Sequence, residues 1–391
     1  MRDFDFDQII DRSGTQSIKW DRFPKDVLPL WVADMDFLSP PEMIQALVKR
    51  VEHGVFGYTT AGDDLNELIC VRMKERYGWE IKPEALVFMP GVVSGLNLFC
   101  YTFSSYSQRV VVQTPVYPPI LRAPDICHLN RVEVPLVRLE DGRYEIDFDC
   151  FEEGIRGGPT QFILCNPHNP TGRVFTIQEL QRIAEICLRH QVILCSDEIH
   201  SDLIFTGNKH TPIASLSREI EEHTITFIAP SKTFNVAGLG CSVAIIPNPE
   251  LRKQFSLVKD AFAGHVNLFG LTAARAAYRD GEEWSKSLLG YLESNRNLVT
   301  GFVLERLPGI KVYPPEGTYL AWLDCTSLDL PSDPCEFFLQ EARVGLNNGM
   351  DFGEPGKGFV RLNFGCTRKL LSEALERMER ALIQWSSSRD K

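Results

Sequence analysis

Three short motifs of this chain place a lysine, an acid and an asparagine next to apolar runs. Lys232 follows the apolar run 224–229, Asp197 follows the run 192–196, and Asn169 lies in an Asn-Pro-Thr-Gly turn upstream of both. A lysine amine can form a Schiff base, a carboxylate can keep a pyridine nitrogen protonated, and an amide can donate to a phenolate oxygen. The three together predict a pyridoxal phosphate (PLP) site in which Lys232 is the catalytic residue.

Each of these residues also has a purely structural interpretation. Most lysines lie at the surface with their stems packed on the protein, and Asp197 could cap a following helix. Asn-Pro-Thr-Gly is a turn sequence in any protein. The combination favours a site, because a carboxylate at the end of a buried strand needs a cationic partner and a pyridinium ion supplies one.

Small residues at the start of a predicted helix are candidates for binding the phosphate of the same cofactor. Gly91, Val92 and Val93 follow the apolar run 86–89. Free amides at a helix N-terminus can hold a phosphate, although a glycine at a helix start is common in proteins without such a site. Ser231 adds a hydroxyl group beside the lysine.

Two ring side chains are further candidates for cofactor binding. Tyr117 follows the run 109–113 and can stack on the pyridine ring, with a packed core tyrosine as the alternative. His200 lies three residues after the acid of the second motif. It either contacts the phenolate side of the cofactor or is a satisfied histidine at the end of a strand.

Arg361 interrupts the apolar run 359–364 and needs an anionic partner. Its planar guanidinium matches a carboxylate through two parallel hydrogen bonds, so the α-carboxylate of an amino-acid substrate is the favoured partner. A structural ion pair with an internal Asp or Glu is the alternative.

The composition is that of an ordinary globular protein with a sizeable core. The 391 residues are 44% hydrophobic and 24% charged, and the net charge of −11 argues against a nucleic-acid or anionic-membrane partner. We see no signal-peptide pattern and no apolar run that would span a membrane. Eleven cysteines without a Cys-x-x-Cys pair predict reduced thiols in a cytoplasmic protein and no metal site.

The middle of the chain alternates apolar runs with amphipathic segments. The strand-like runs are residues 86–89, 109–113, 161–165, 192–196, 224–229 and 241–246. Between them, Thr176 and Glu179 form a capping-box pattern at the start of a predicted helix. This alternation predicts an α/β fold with a mostly parallel sheet covered by helices on both faces. Ligands of such sheets bind at the carboxyl ends of the strands, where all three motifs fall.

After Gly281 the pattern changes to a long polar-faced helix, two strand-like runs (318–323 and 359–364) and two further helices. We therefore predict a large cofactor-binding domain over residues 46–285 and a smaller α+β domain over 286–391. The proline-rich segment 1–45 is expected to pack with the smaller domain.

Over essentially its whole length, the chain resembles fold type I PLP-dependent enzymes of the class I/II aminotransferase group. Within that group it is most similar to the MalY/PatB branch of cystathionine β-lyases (C–S lyases). The stretches that carry the resemblance are residues 31–37, 54–59, 166–172, 196–202, 230–238 and 361–365. The resemblance implies a large domain with a seven-stranded, mostly parallel sheet between helices, plus a smaller α+β domain.

The resemblance also assigns roles to particular residues. It implies the roles already given to Lys232, Asp197, Asn169, Tyr117 and Arg361. It further implies a homodimer with shared active sites, in which Tyr58 reaches the phosphate bound by the neighbouring subunit.

One departure bears on the type of reaction. Aminotransferases of the group usually carry a phosphate-binding arginine downstream of the lysine, and the matching place here reads Gly238-Leu239-Gly240. The predicted function is therefore a PLP-dependent carbon–sulfur β-lyase that converts cystathionine or a related cysteine S-conjugate, a small sulfur amino acid, to a thiol, pyruvate and ammonia. A class I/II aminotransferase is the alternative enzyme. A regulatory protein that retains the cofactor to control a partner is the non-enzymatic alternative.

Overall fold

A computed structural model describes residues 4–158 and 160–389 of the chain. Its strands are β1 (Leu28–Pro29), β2 (Leu86–Met89), β3 (Arg109–Thr114), β4 (Asn130–Pro135), β5 (Val137–Arg138), β6 (Tyr144–Glu145), β7 (Gln161–Cys165), β8 (Ile193–Asp197), β9 (Thr224–Ile228), β10 (Ser242–Ile245), β11 (Lys311–Val312), β12 (Leu320–Asp324), β13 (Val344–Gly345), β14 (Asn347–Asn348) and β15 (Phe359–Asn363).

The helices of the same residues are α1 (Pro41–Glu52), α2 (Gly62–Tyr77), α3 (Val92–Thr102), α4 (Pro118–Ile126), α5 (Phe148–Ile155), α6 (Ile177–Arg189), α7 (Arg218–Glu221), α8 (Pro230–Thr233), α9 (Pro249–Phe262), α10 (Leu268–Asp280), α11 (Glu282–Arg306), α12 (Pro334–Glu341) and α13 (Arg368–Arg389).

A seven-stranded sheet with the order β2-β10-β9-β8-β7-β3-β4 forms the centre of the molecule. The strands β9, β8, β7, β3 and β4 pair in parallel, whereas β10 is antiparallel to both of its neighbours. The predicted α/β class and mostly parallel sheet are confirmed. The edge strand β4 was not predicted, because it is largely exposed and lacks an apolar run.

Helices cover both faces of this sheet. Along β3, Val110 and Val112 pack in one cluster with side chains of α3, α4 and α9, and Val111 packs in another with α5 and α6. Successive side chains of a strand point to opposite faces, so a continuous apolar run indicates burial on both. The predicted capping box of α6 is present: the Glu179 N–H donates to Oγ1 of Thr176 at 3.2 Å.

A four-stranded antiparallel sheet, β11-β12-β15-β14, forms a second and smaller layer with α11, α12 and α13. The N-terminal strand β1 pairs in parallel with β13. Phe6, Leu30 and Phe37 lie in the same hydrophobic cluster as Leu320 and Leu362. We retain the division into 1–45, 46–285 and 286–391 as a proposal, with residues 1–3, 159, 390 and 391 outside the described part of the chain.

Three findings concern membrane-spanning helices, metal-binding clusters and the state of the cysteines. No helix of the described chain is long and apolar enough to cross a bilayer. Its His, Cys, Asp and Glu side chains form no group of three that could hold a metal ion. All eleven cysteines are free thiols.

Candidate active site

The three motifs meet around a cavity of about 190 Å³ at the carboxyl edge of the large sheet. Because β10 runs antiparallel to its neighbours, its first residues lie at this same edge. The lining residues are Ala33, Pro90, Gly91, Val92, Val93, Ser94, Tyr117, Cys165, Asn169, Asp197, Ile199, His200, Ala229, Ser231, Lys232, Ala237, Gly240, Cys241 and Ser242. Eight of the nine residues proposed for cofactor binding and the proposed catalytic lysine are in this set; Tyr58 is not.

Lys232 lies on a single helical turn, α8, directly after β9. Its Nζ donates a hydrogen bond to the backbone oxygen of Ala33 at 2.6 Å. Burial and the nearby positive charge of Arg361 lower the pKa of the amine to about 8, against the opposing effect of Asp34 and Asp197. A lysine with this pKa is neutral in a large fraction of molecules near pH 8, so it can act as a nucleophile or a base.

Two adjacent carboxylates have different surroundings at the end of β8. Glu198 accepts a hydrogen bond from the Ser196 hydroxyl at 2.8 Å and pairs with Nε2 of His210 at 2.9 Å. Asp197 instead lines the cavity, accepts from the Ile199 N–H at 3.2 Å and forms no ion pair within the described residues. Burial raises its pKa to about 6. Asp197 is therefore the carboxylate that a cationic ligand group in the cavity would stabilise.

The N-terminus of α3 faces the cavity without a capping side chain. Gly91 is the N-cap residue, and Val92, Val93 and Ser94 begin the helix. Their N–H groups have no partner earlier in the helix, and the helix dipole adds a partial positive charge. This geometry fits a phosphate group, and the Ser231 hydroxyl lies along the same cavity.

Gly240 explains why an arginine is unfavourable at the place where aminotransferases of the group carry one. Its φ of +57° lies in the left-handed region, and a Cβ atom there would come within 3.1 Å of the backbone oxygen of Pro90. Most side chains would be strained in this conformation. A phosphate in the cavity would therefore meet amides and hydroxyls, with no arginine at this place.

Tyr117, Asn169 and Arg361 are linked by hydrogen bonds. The Tyr117 N–H donates to the backbone oxygen of Asn169 at 3.0 Å, and Arg361 Nη1 donates to Oδ1 of the same asparagine at 2.9 Å. The amide group Nδ2 of Asn169 has no protein acceptor among the described residues and remains available as a donor. These contacts join the cofactor candidates to the proposed substrate-binding arginine.

Arg361 is buried but has no carboxylate partner. Its other hydrogen bonds go to the backbone oxygen of Trp31 at 3.0 Å and to Oδ1 of Asn347 at 2.6 Å, and Nε has no partner. No ion pair of the described chain includes it, so the alternative of a structural ion pair has no support. Burial lowers its pKa to about 10. A buried guanidinium without a counter-ion is well suited to bind an external carboxylate.

His200 is not a fully satisfied histidine. Its ring meets Tyr319 edge to face at 5.8 Å, and its buried Nδ1 has no hydrogen-bond partner. Burial, aided by the charges of Lys232 and Arg361, holds its pKa well below the usual value. His200 is therefore neutral at physiological pH, with one ring nitrogen facing no protein partner.

Tyr58 lies apart from the other candidates. It is fully exposed in the segment between α1 and α2 and does not line the cavity of its own chain. A groove beside it is lined by residues 56–60 and 265–269. Whether a neighbouring subunit receives this side chain stays a prediction.

Sequence reasoning did not find the backbone oxygen that accepts from Lys232, or Tyr319, whose hydroxyl donates to the same Ala33 oxygen at 2.8 Å. A backbone acceptor carries no sequence signal. The only pointer was the resemblance of residues 31–37 to a family motif.

Comparison with known proteins places these features in one family. The family model for aminotransferase class I and II matches residues 25–378. The chain belongs to this family. Among its members, cystathionine β-lyase PatB of Bacillus subtilis is 42% identical over 386 residues, which cover 96% of this chain and 99% of PatB. The predicted family and its C–S lyase branch are thus confirmed.

Two solved structures are similar over nearly the whole chain. Cystalysin from Treponema denticola, which contains pyridoxal 5′-phosphate, has a TM-score of 0.93 and 34% identity, covering 98% of this chain and all of that one. A PLP-bound C–S lyase from Staphylococcus hominis has a TM-score of 0.90 and 33% identity, covering 98% of this chain and 99% of that one. The predicted fold type is confirmed by these similarities.

Proposed function

We propose that this protein is a PLP-dependent carbon–sulfur β-lyase that acts on cystathionine or a related cysteine S-conjugate. One observation carries the proposal, namely that four complementary groups meet at one cavity. The cavity is lined by the amine of Lys232, with a pKa of about 8, by the unpaired carboxylate of Asp197 and by the uncapped N-terminus of α3. Arg361, a buried guanidinium without a counter-ion, is hydrogen-bonded to Asn169 of the same cavity. The relatives named cystathionine β-lyase and the PLP-bound C–S lyases support the assignment.

Each residue has a role that follows from its surroundings. Lys232 would hold the aldehyde carbon of the cofactor, and Asp197 would stabilise its protonated pyridine nitrogen. The first turn of α3 and Ser231 would bind the phosphate. Asn169 would donate from Nδ2 to the phenolate oxygen, and Tyr117 would pack against the ring. When bound, the cofactor supplies an electron sink for the carbanion that forms at Cα.

The substrate is bound and deprotonated by two residues. Arg361 binds the α-carboxylate through two parallel hydrogen bonds. The neutral amine of Lys232, free once the substrate amine has taken its place, would remove the proton from Cα. The Cβ–S bond breaks, the sulfur leaves as a thiolate that takes up a proton, and hydrolysis of the remaining enamine gives pyruvate and ammonia.

Elimination is favoured over transamination because a thiolate is a good leaving group. A transaminase uses the same lysine but returns the proton to the cofactor instead of expelling sulfur. Incubation of the purified holoenzyme with cystathionine should yield pyruvate, ammonia and homocysteine without an added keto acid. A requirement for a keto acid, with the cofactor left in its amine form, would show that the enzyme is an aminotransferase. Turnover in neither assay, with cofactor bound, would favour the regulatory alternative.

We further propose a homodimer with shared active sites, working in the cytoplasm. An exposed Tyr58 beside the groove of residues 56–60 and 265–269 supports the dimer, since residues 238–240 supply no arginine for the phosphate and no arginine of the described chain lines the cavity. Eleven free thiols are compatible with a reducing compartment.

A further inference from the structure

Residues 31–37 (Trp-Val-Ala-Asp-Met-Asp-Phe), here named the N-terminal strap, contact Lys232 and Arg361, the two working residues of the proposed mechanism, through backbone oxygens. Ala33 accepts from Nζ of Lys232 at 2.6 Å, and Trp31 accepts from Nη2 of Arg361 at 3.0 Å. The lysine follows a strand of the large sheet, whereas the arginine lies in the small sheet. The strap therefore connects the amine and the guanidinium independently of α8 and β15, the elements that carry them.

Two asparagines fasten the strap on the side of the cavity. Asn235, three residues after Lys232, donates from Nδ2 to the oxygens of Met35 and Phe37 at 2.9 Å each and accepts from the Met35 N–H. Asn363, two residues after Arg361, donates from Nδ2 to the oxygens of Val32 and Asp34 at 2.6 and 2.7 Å. Each working residue thus has an asparagine close by in sequence that holds the strap.

A charge cluster of Lys19, Arg12, Asp34 and Asp36, with Lys19 and Asp36 buried, also fastens the strap. The ammonium of Lys19, whose side chain is fully buried, lies 2.7 Å from Oδ2 of Asp36 and donates to the backbone oxygen of Asp34. Arg12 binds Oδ1 of Asp36 at 2.6 Å and Oδ2 of Asp34 at 2.8 Å. The indole of Trp20 donates to the same Oδ1 of Asp36 at 2.8 Å.

A cluster of this kind is better suited to fixing a geometry than to adding stability. Two cations and two carboxylates lose much of their hydration on burial, and apolar side chains of similar volume are often as stable. Charged hydrogen bonds, however, are directional and allow one register of the strap. The carboxylates of the cluster, Asp34 and Asp36, belong to the strap, and other strap residues contact Lys232 and Arg361.

We infer that Lys19 and Arg12 are positioning residues. Through Asp34 and Asp36 they hold the backbone oxygens of the strap against Lys232 and Arg361. They thereby set where the proton-accepting amine of Lys232 lies relative to the carboxylate-binding guanidinium of Arg361. The inference rests on the proposed function only in taking Lys232 and Arg361 as the working pair. It assigns no contact with substrate to the cluster.

The test is Lys19→Met in the full-length holoenzyme. We expect at least a tenfold increase in KM for cystathionine and at least a tenfold decrease in kcat, with an unchanged cofactor content per chain. Binding of L-alanine, an amino acid without a leaving group, should weaken at least tenfold in the absence of any turnover. In the cofactor-free protein, the rate at which an acylating reagent labels Lys232 at pH 8 should change at least threefold. Lys19→Arg, which keeps the charge, should recover most of each effect.

Asp26→Asn is the matched control. Asp26 lies in the same N-terminal segment and binds Arg343 near β13 through two hydrogen bonds of 2.7 and 3.0 Å, but this pair is exposed and does not contact the strap. The control should change every readout less than twofold. If Lys19→Met lowers only the melting temperature and otherwise matches the control, the cluster is structural and the inference is wrong.

Two further outcomes are distinguishable. If Lys19→Met yields no folded protein, Arg12→Gln replaces it, since Arg12 binds the same carboxylates from a partly exposed position, and the same criteria decide. If the wild-type protein cleaves no cystathionine but L-alanine binding and Lys232 labelling respond to the substitution as expected, the inference holds and the proposed function fails.

Discussion

Arg361 donates a hydrogen bond from Nη1 to Oδ1 of Asn169 at 2.9 Å, so a guanidinium of the small sheet orients an amide at the edge of the large one. With Oδ1 engaged, Nδ2 is the end of the amide that remains to donate. The group proposed to bind substrate and the group proposed to bind the cofactor's phenolate oxygen are thus one hydrogen bond apart. This contact suggests the first of five predictions.

Asn169→Asp should weaken substrate binding through the arginine. The new carboxylate would lie next to Arg361 and form the internal ion pair that the native chain lacks, in competition with the α-carboxylate of the substrate. We expect amino-acid affinity to fall at least tenfold, about 1.4 kcal/mol. Spectral titration with L-alanine measures it. Asn169→Ser, which adds no charge, is the control, and equal effects of the two substitutions would contradict the ion-pair explanation.

Arg361→Met and Arg173→Met should have opposite consequences for stability. Arg361 has no carboxylate partner, so its removal should leave the free energy of unfolding unchanged or higher while amino-acid affinity falls about 100-fold, on the scale of 3 kcal/mol for a buried charge pair. Arg173 is equally buried but lies between Glu179 and Glu316. Its removal should destabilise the fold by about 3–5 kcal/mol. Denaturant unfolding and ligand titration check both, and unchanged amino-acid affinity in Arg361→Met would favour a structural role for this arginine.

The pKa of Lys232 predicts how cofactor capture depends on pH. Only the neutral amine reacts with the aldehyde, and with a pKa of about 8 its fraction rises about fivefold between pH 7 and pH 8 and levels off above pH 9. Capture by the cofactor-free protein should follow this curve. Borohydride reduction and peptide mapping should locate the label on Lys232. Lys259→Met is the control, because Lys259 is also largely buried. A label on Lys253 or Lys259 would overturn the site assignment.

Asp197→Asn should stabilise the cofactor-free protein at neutral pH and abolish tight cofactor binding. The folded-state pKa of about 6 exceeds the ordinary 3.8, so the folded chain binds the proton more tightly. Stability is therefore lost as pH rises from about 4 to about 6, by about 3 kcal/mol. Asparagine removes that loss. The melting temperature of the cofactor-free variant should exceed that of wild type at pH 8 and match it at pH 4. A lower melting temperature at pH 8 would show that the charge is already compensated.

Shared sites can be tested by mixing two inactive variants. If Tyr58 of one subunit serves the site of the other, a heterodimer of Tyr58→Ala and Lys232→Ala contains one site with both native residues. Unfolding and refolding an equal mixture should restore about a quarter of wild-type activity, as expected for random pairing of subunits. Mixing Lys232→Ala with Arg361→Ala should give no such recovery, because Lys232 lines the same cavity as Asn169, to which Arg361 of the same chain is hydrogen-bonded. A fully active monomer would contradict the proposal.

The sequence predicted best what depends on continuous apolar runs. Residues 161–165 were predicted as a strand with the bounds that β7 has, because buried parallel strands are apolar on both faces. The direction of β10 could not be predicted, since an apolar run reads the same in either orientation. The pairing of β1 with β13 was also out of reach, because it joins two-residue strands more than 300 positions apart.

For the candidate site, side-chain chemistry was predictable and backbone chemistry was not. Lys232, Asp197 and Asn169 stood out because their residue types are unusual at strand ends. The strap oxygens of Ala33 and Trp31 have no such signal. Neither has Lys19, whose complete burial depends on partners 15 and 17 positions away that only the fold brings together.

The connection between the strap and β15 bears on the order in which the protein matures during synthesis. The cavity residues that would hold the cofactor, apart from Ala33, come from positions 90–242, whereas Arg361 and Asn363 are made much later and bond to residues 31–34. Domains fold as the chain emerges from the ribosome, earlier parts first. A nascent chain therefore cannot complete its amino-acid-binding end until β15 has emerged, and substrate cannot be bound before the side chains of β15 reach residues 31–34.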